Sequence, residues 1–112
     1  MDLSVETRNE GTWGVVAVGG EVDMFTAPKL RETLIQTIDQ GNERVAVELH
    51  NVTFMDSTGL GVLIGALRRI RERSGELRIV CTSRPVLRVL EVTGLHNVFS
   101  IHETLEEAMG AG

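Results

Sequence analysis

Arg44-Val45-Ala46-Val47-Glu48-Leu49, then Asn51 to Thr58, then Gly59-Leu60-Gly61-Val62-Leu63-Ile64-Gly65-Ala66-Leu67-Arg68-Arg69-Ile70 reads as a strand, a loop and a helix, and it decides the fold. The first six residues form an apolar strand. From about Thr58 the period changes. Leu60, Leu63, Ile64, Leu67 and Ile70 fall on one helical stripe, with the arginines mostly off it. Ser74-Gly75 ends the helix.

The same alternation extends in both directions. Upstream, Thr26 is suited to capping a helix, and Pro28 sits in its first turn, where a missing N–H costs little. Leu30, Leu34 and Ile38 share a face, and Gly41 is the stop. Before that helix, Leu3-Ser4-Val5-Glu6 alternates as a short edge strand, and Glu10 to Gly14 is a turn. Val15 to Val18 is a second strand ended by Gly19-Gly20, so the chain opens with a hairpin.

Downstream, Leu77 to Cys81 is a strand, and Ser83 precedes a helix starting at Arg84-Pro85. That helix has Val86, Leu87, Val89 and Leu90 on its apolar side and ends near Gly94. Val98 to Ile101 is a last short strand, and Glu103 to Met109 a terminal helix followed by a fraying end, residues 110–112. This order is α/β. Strands joined through helices run parallel with right-handed crossovers, and the hairpin adds an antiparallel element, so the sheet is mixed. The helices can lie on one face or on both.

The bulk properties fit one domain over residues 1–112. An apolar fraction of 42% suffices for a continuous core without disulfides or metals. Cys81 is the single cysteine and sits in an apolar strand, so a buried hydrophobe is expected rather than a redox group. No apolar stretch approaches the ~20 residues that span a bilayer. The acidic start, with Asp2 and Glu6, does not resemble a signal peptide. A cytoplasmic protein without membrane attachment is expected. The net charge of −5 argues against direct nucleic-acid binding. Residues 1–56 hold ten acids and four bases, and residues 57–112 six acids and seven bases. Arg68, Arg69, Arg71 and Arg73 form either a solvated helix face or a basic patch for a partner.

The chemistry concentrates in Phe54-Met55-Asp56-Ser57-Thr58-Gly59-Leu60-Gly61. It joins the carboxyl end of a strand to the amino end of a helix, the edge where sites form in open α/β sheets. Asp56, Ser57 and Thr58 are all good caps, three where one suffices. Gly59 and Gly61 weaken the first turn by about 1 kcal/mol each relative to alanine; in return they leave Ser57 open to a large partner. A phosphate on Ser57 would add a charge of about −1.5 to −2. A helix amino end tolerates that charge, so the fold survives while the surface near Asp56 and Asp23 changes. On these residues alone Ser57 is a plain cap or a switch. Nearby Met24 and Phe25 are either core or a docking patch, and Phe54 and Met55 are expected in the core.

Asp56 to Leu63 resembles the phosphorylation-site signature of the STAS domain family, in its anti-sigma-factor-antagonist branch. Gly20-Glu21-Val22-Asp23, with Thr26-Ala27-Pro28 and Leu30, is similar to that family's first block, and Val92 to Leu95 with Val98-Phe99 to its third. The likeness spans essentially the whole chain. It implies a single STAS-like α/β domain, with a mixed, mostly parallel sheet of about five strands and about four helices. It implies phosphorylation of Ser57 by an anti-sigma factor that is also a serine kinase. The unphosphorylated form would bind that partner and release a sigma factor; the phosphorylated form would not bind, and a serine phosphatase would reset it. Asp23, Asp56, Ser57, Thr58, Gly59 and Gly61 would then form the partner surface, without cofactor or metal, on a chain that is monomeric when free.

Other readings compete. As a nucleophile Ser57 lacks the Gly-x-Ser-x-Gly elbow, since Met55 stands at the first glycine position. His50, His96 and His102 are each isolated candidate bases, so no enzyme is expected. Gly59-Leu60-Gly61 lacks the lysine of a phosphate-binding loop. One cysteine and three scattered histidines do not match zinc spacing. A further alternative keeps the fold and makes the domain a regulatory or scaffold subunit of a transporter or stress-signalling complex.

Overall fold

Glu10 and Trp13 pair across the two-residue turn Gly11-Thr12, with Gly11 at φ +60°, and fold the first two strands onto each other. The computed structural model describes residues 2–110; the fraying expected at Ala111 and Gly112 lies outside them. The strands are β1 (Leu3–Glu10), β2 (Trp13–Val22), β3 (Arg44–Met55), β4 (Glu76–Val80) and β5 (Ser100–His102). The helices are α1 (Ala27–Asp39), α2 (Ser57–Glu72), α3 (Arg84–Val92) and α4 (Leu105–Gly110), with a 3-10 turn at Leu95–Asn97. The sheet order is β1-β2-β3-β4-β5; β1 is antiparallel to β2 and the other pairs are parallel. This is a single α/β domain with the expected mixed sheet of five strands and four helices.

The strand order settles which faces are covered. β2 to β5 lie side by side in chain order, so each right-handed crossover advances the same way and lays its helix on the same face. Side chains alternate along the strands. Val16, Val45, Val47, Leu77 and Ile79 point to that face, into a large core with Leu30, Leu34, Leu63, Leu67 and Leu90. Trp13, Val15, Ala46 and Val80 point to the other, where they meet Ala108 of α4, flanked by Leu105 and Met109. Both faces are therefore covered, unequally. Arg78 anchors the smaller layer. It donates to the Ala108 carbonyl at 2.6 Å, pairs with Glu76 at 2.8 Å, and lies 5.3 Å from the Trp13 ring centre.

Several expected boundaries move. β2 does not end at Gly19-Gly20 but continues to Val22, and β3 runs past Leu49 to Met55, through most of the expected loop. Register shifts between Ala17 and Gly19 and between Gly20 and Glu21 keep the strands paired while breaking the alternation that marks a strand in sequence. Gly20, at φ +95°, is required there, since a Cβ would run into the Asp2 carbonyl oxygen. β1 is longer than Leu3 to Glu6, and β5 starts only at Ser100. Cys81 is buried, and burial pushes its thiol pKa up, as suits a core residue.

Candidate functional site

β2 and β3 end together. Val22 pairs with Met55, and the Asp56 amide donates to the Val22 carbonyl at 3.1 Å. Each strand is followed at once by an aspartate, Asp23 or Asp56, and each aspartate starts a helical turn. The two helix heads therefore stand side by side, about one strand spacing of ~4.8 Å apart where they leave the sheet.

Asp23 is the working cap ahead of α1. Its Oδ1 accepts from the amides of Phe25 at 2.9 Å and Thr26 at 3.0 Å, while the Thr26 hydroxyl accepts from the Asp23 amide at 3.0 Å. This is a reciprocal capping box with threonine in place of the usual glutamate. Thr26 holds the N-cap position of α1, as expected, but makes no side-chain cap bond; its hydroxyl donates to the Glu21 carbonyl at 2.8 Å. The Thr26 amide, helped by that of Phe25, holds the Asp23 carboxyl below its ordinary pKa.

At α2 the cap is Asp56. Its Oδ1 accepts from the amides of Thr58 at 2.9 Å and Gly59 at 3.1 Å. Ser57 is thus the first residue inside the helix, not its cap. It is exposed, and its hydroxyl makes no hydrogen bond among the described residues. Two first-turn amides are already occupied by Asp56, so a phosphate on Ser57 would share this helix end with a carboxylate.

The remaining expected site residues divide. Thr58 is exposed and borders a cleft of about 270 Å³ between α1 and α2, with Arg31, Gly61 and Val62. Gly61 is exposed with open space around it. Gly59 is buried; a Cβ there would come within 2.7 Å of Val22 Cγ1 and 2.8 Å of Met55 Cγ. Its lack of a side chain lets α2 sit on the sheet and does not expose Ser57. Met24 and Phe25 are exposed, at 64% and 83%, beside these heads, so of the two readings core packing fails for both. Phe54, at 47%, is also outside the core, whereas Met55 is buried. Arg31 and Val62 also line the edge; Val62 lies within the Asp56 to Leu63 motif but was not singled out, and for Arg31 the only hint was its place about one turn inside α1.

The histidines lie elsewhere. His50 Nδ1 contacts the Thr82 hydroxyl at 2.9 Å, His96 Nδ1 the Leu90 carbonyl at 3.4 Å, and His102 Nε2 the Ser100 hydroxyl at 2.7 Å. None bonds Ser57. At the far end of α2, Arg69 and Arg73 pair with Asp39 of α1 at 2.9 and 2.8 Å, and Arg69 chiefly holds the Asp39 carboxyl below its ordinary pKa. No helix among the described residues is long and apolar enough to cross a membrane.

Fold and edge define a small mixed α/β domain that presents an unengaged serine between two aspartate-capped helix heads. The STAS domain family model matches residues 4–108, and the chain belongs to that family, among its anti-sigma factor antagonists. An anti-sigma-B factor antagonist of Staphylococcus aureus (strain NCTC 8325 / PS 47) is 38% identical over 106 residues, 95% of this chain and 98% of that protein. The crystal structure of an anti-sigma factor antagonist from Mycobacterium paratuberculosis superposes with a TM-score of 0.91 at 26% identity, over 98% of this chain and 93% of that one. The Bacillus cell-fate determinant SpoIIAA, solved in its phosphorylated form, shares the fold with a TM-score of 0.74 at 23% identity, over 95% and 96% of the two chains.

Proposed function

We propose that this chain is a phosphorylation-controlled anti-sigma factor antagonist with Ser57 as its switch. Unphosphorylated, it binds an anti-sigma factor that is also a serine kinase, and a sigma factor is released. Phosphorylated on Ser57, it no longer binds, and a serine phosphatase restores it. The chain is the substrate of this chemistry and supplies no catalytic group.

One observation carries the reading. Asp56 does the capping, which frees the exposed Ser57 hydroxyl for a kinase without cost to the helix. The docking surface is then Asp23, Asp56, Ser57, Thr58 and Gly61, with Met24 and Phe25 as apolar anchors; Gly59 supports it from below. Phosphorylation places a charge of about −1.5 to −2 beside two carboxylates on a surface that docking must desolvate. Like-charge repulsion and desolvation both oppose the complex, so binding is lost without refolding.

Peptide mapping after incubation with ATP and a candidate anti-sigma factor kinase should place the phosphate on Ser57. Calorimetry should then show that the unmodified protein and Ser57→Ala bind the kinase, and that the phosphorylated protein binds at least about tenfold more weakly. Equal affinity for all three would sink the electrostatic switch. Capture of transporter subunits instead of a kinase would favour the scaffold reading.

A further inference from the structure

The carboxyl half of α2 carries Arg68, Arg69, Arg71 and Arg73, and the structure divides them. Arg69 and Arg73 are held by Asp39. Arg68 and Arg71 have no acidic partner among the described residues. Both line a trough of about 430 Å³ whose apolar floor is Ile64, Leu67 and Val98, with Glu72 at the rim. Val98 is 43% exposed there, a half-open apolar side chain in the same lining as Arg68 and Arg71. The trough continues past Leu67, Arg71 and Val98 into a second depression of about 220 Å³ that reaches Leu77 and Ser100. On α2, Ile64, Arg68 and Arg71 follow i, i+4, i+7 spacing, so they form a continuous ridge along one wall.

We propose that this trough is a second docking surface, and that its occupant is an acidic amphipathic segment of a protein partner. Its carboxylates meet Arg68 and Arg71, and its apolar side chains meet Leu67 and Val98. The charge pattern selects this occupant. Arg31, Arg84 and Arg88 also make no ion pair among the described residues, but Arg68 and Arg71 stand together beside an apolar lining, so on a chain of net charge −5 an acidic segment is attracted here and a basic one is not. The apolar floor and Glu72 disfavour a uniform polyanion such as nucleic acid, which would lose contact with the one and be repelled by the other. Two adjoining depressions along one helix, sharing Leu67, Arg71 and Val98, suit a short segment with periodic apolar anchors.

Arg68 lies eleven residues beyond Ser57 on the same helix, about 16 Å along its axis at the usual rise. A partner in the trough therefore leaves the Ser57 edge free, and its binding does not depend on the phosphorylation state.

The test uses the full chain and a fluorescein-labelled helical peptide with leucines at i, i+4 and i+7 and glutamates between them. A scrambled peptide of the same composition is the control. Anisotropy should show that the patterned peptide binds and the scrambled one binds about tenfold more weakly. Arg68→Glu with Arg71→Glu, and separately Val98→Asp, should each weaken binding about tenfold with unchanged circular dichroism. Ser57→Asp should leave it unchanged, and amide shifts should centre on Ile64, Leu67, Arg71, Val98 and Ser100. Equal binding of both peptides, or shifts centred on the Ser57 edge, overturns the proposal. So does a concentration-dependent dimer that the arginine variants dissolve, since the occupant is then a second copy of this chain.

Discussion

At the scale of single residues, the site rests on a division of labour between Asp56 and Ser57. Asp56 holds the Thr58 and Gly59 amides, so removing it leaves two donors at the head of α2 without their acceptor. Asp56→Ala should cost about 1 kcal/mol of stability, and Ser57→Ala less than about 0.5 kcal/mol; urea denaturation measures both. A reversed order would mean that Ser57 does the capping. Two other aspartates set part of the pH response. Asp23, through backbone amides, and Asp39, through Arg69, have folded-state pKa values below the ordinary 3.8. A depressed carboxyl pKa contributes stability above the ordinary value, and the contribution is lost as pH falls through the depressed one. Asp39→Asn should therefore be less stable at neutral pH and lose less on acidification below about pH 4; acid titration by circular dichroism checks this.

At the scale of elements, the two glycines of α2 separate packing from access. Gly59→Ala pushes a methyl group into Val22 and Met55, an overpacking that should cost about 1–3 kcal/mol. Gly61→Ala meets nothing within 4 Å and should add up to about 1 kcal/mol through helix propensity. Calorimetric melting distinguishes the two. Helices were legible in the sequence because their apolar periods are unbroken, as along Leu30, Leu34 and Ile38. The outer halves of β2 and β3 were not, since bulges at Gly19-Gly20 and the polar run His50-Asn51 remove the alternation a strand is read by. The Asp56-Ser57-Thr58-Gly59 segment was legible as a candidate site from its excess of caps. Which residue caps, and that Gly59 faces inward, depend on contacts with Val22 that only the folded sheet creates. Asp23 was hidden as a cap for a similar reason: Thr26 looks like one until both side chains are placed.

At the scale of the whole molecule, the proposed switch edge and the α4 layer belong to different parts of the sheet. The alternation of helices and strands announced a parallel sheet but not its order, and without the order the side on which α4 settles is open. Ser57 lies at the carboxyl edge of β3, whereas the α4 layer packs on residues from the first half of the strands, such as Trp13 and Ala46. Phosphorylation should therefore shift amide resonances around Asp23, Asp56 and Thr58 and leave β4 and α4 in place. Widespread shifts across the sheet would require a conformational change and overturn this.

Trp13 is the only tryptophan of the chain and there is no tyrosine, and its ring lies beneath α4 against Arg78. Excited near 295 nm, the protein thus has a single natural fluorophore, positioned to report the attachment of its last helix. Its emission should redden when α4 comes away, for instance in Arg78→Ala, yet stay constant through phosphorylation at Ser57. Any intensity change on mixing with a tryptophan-free partner would then report an event on the reverse side of the sheet, so the protein carries its own control for contacts made away from Ser57.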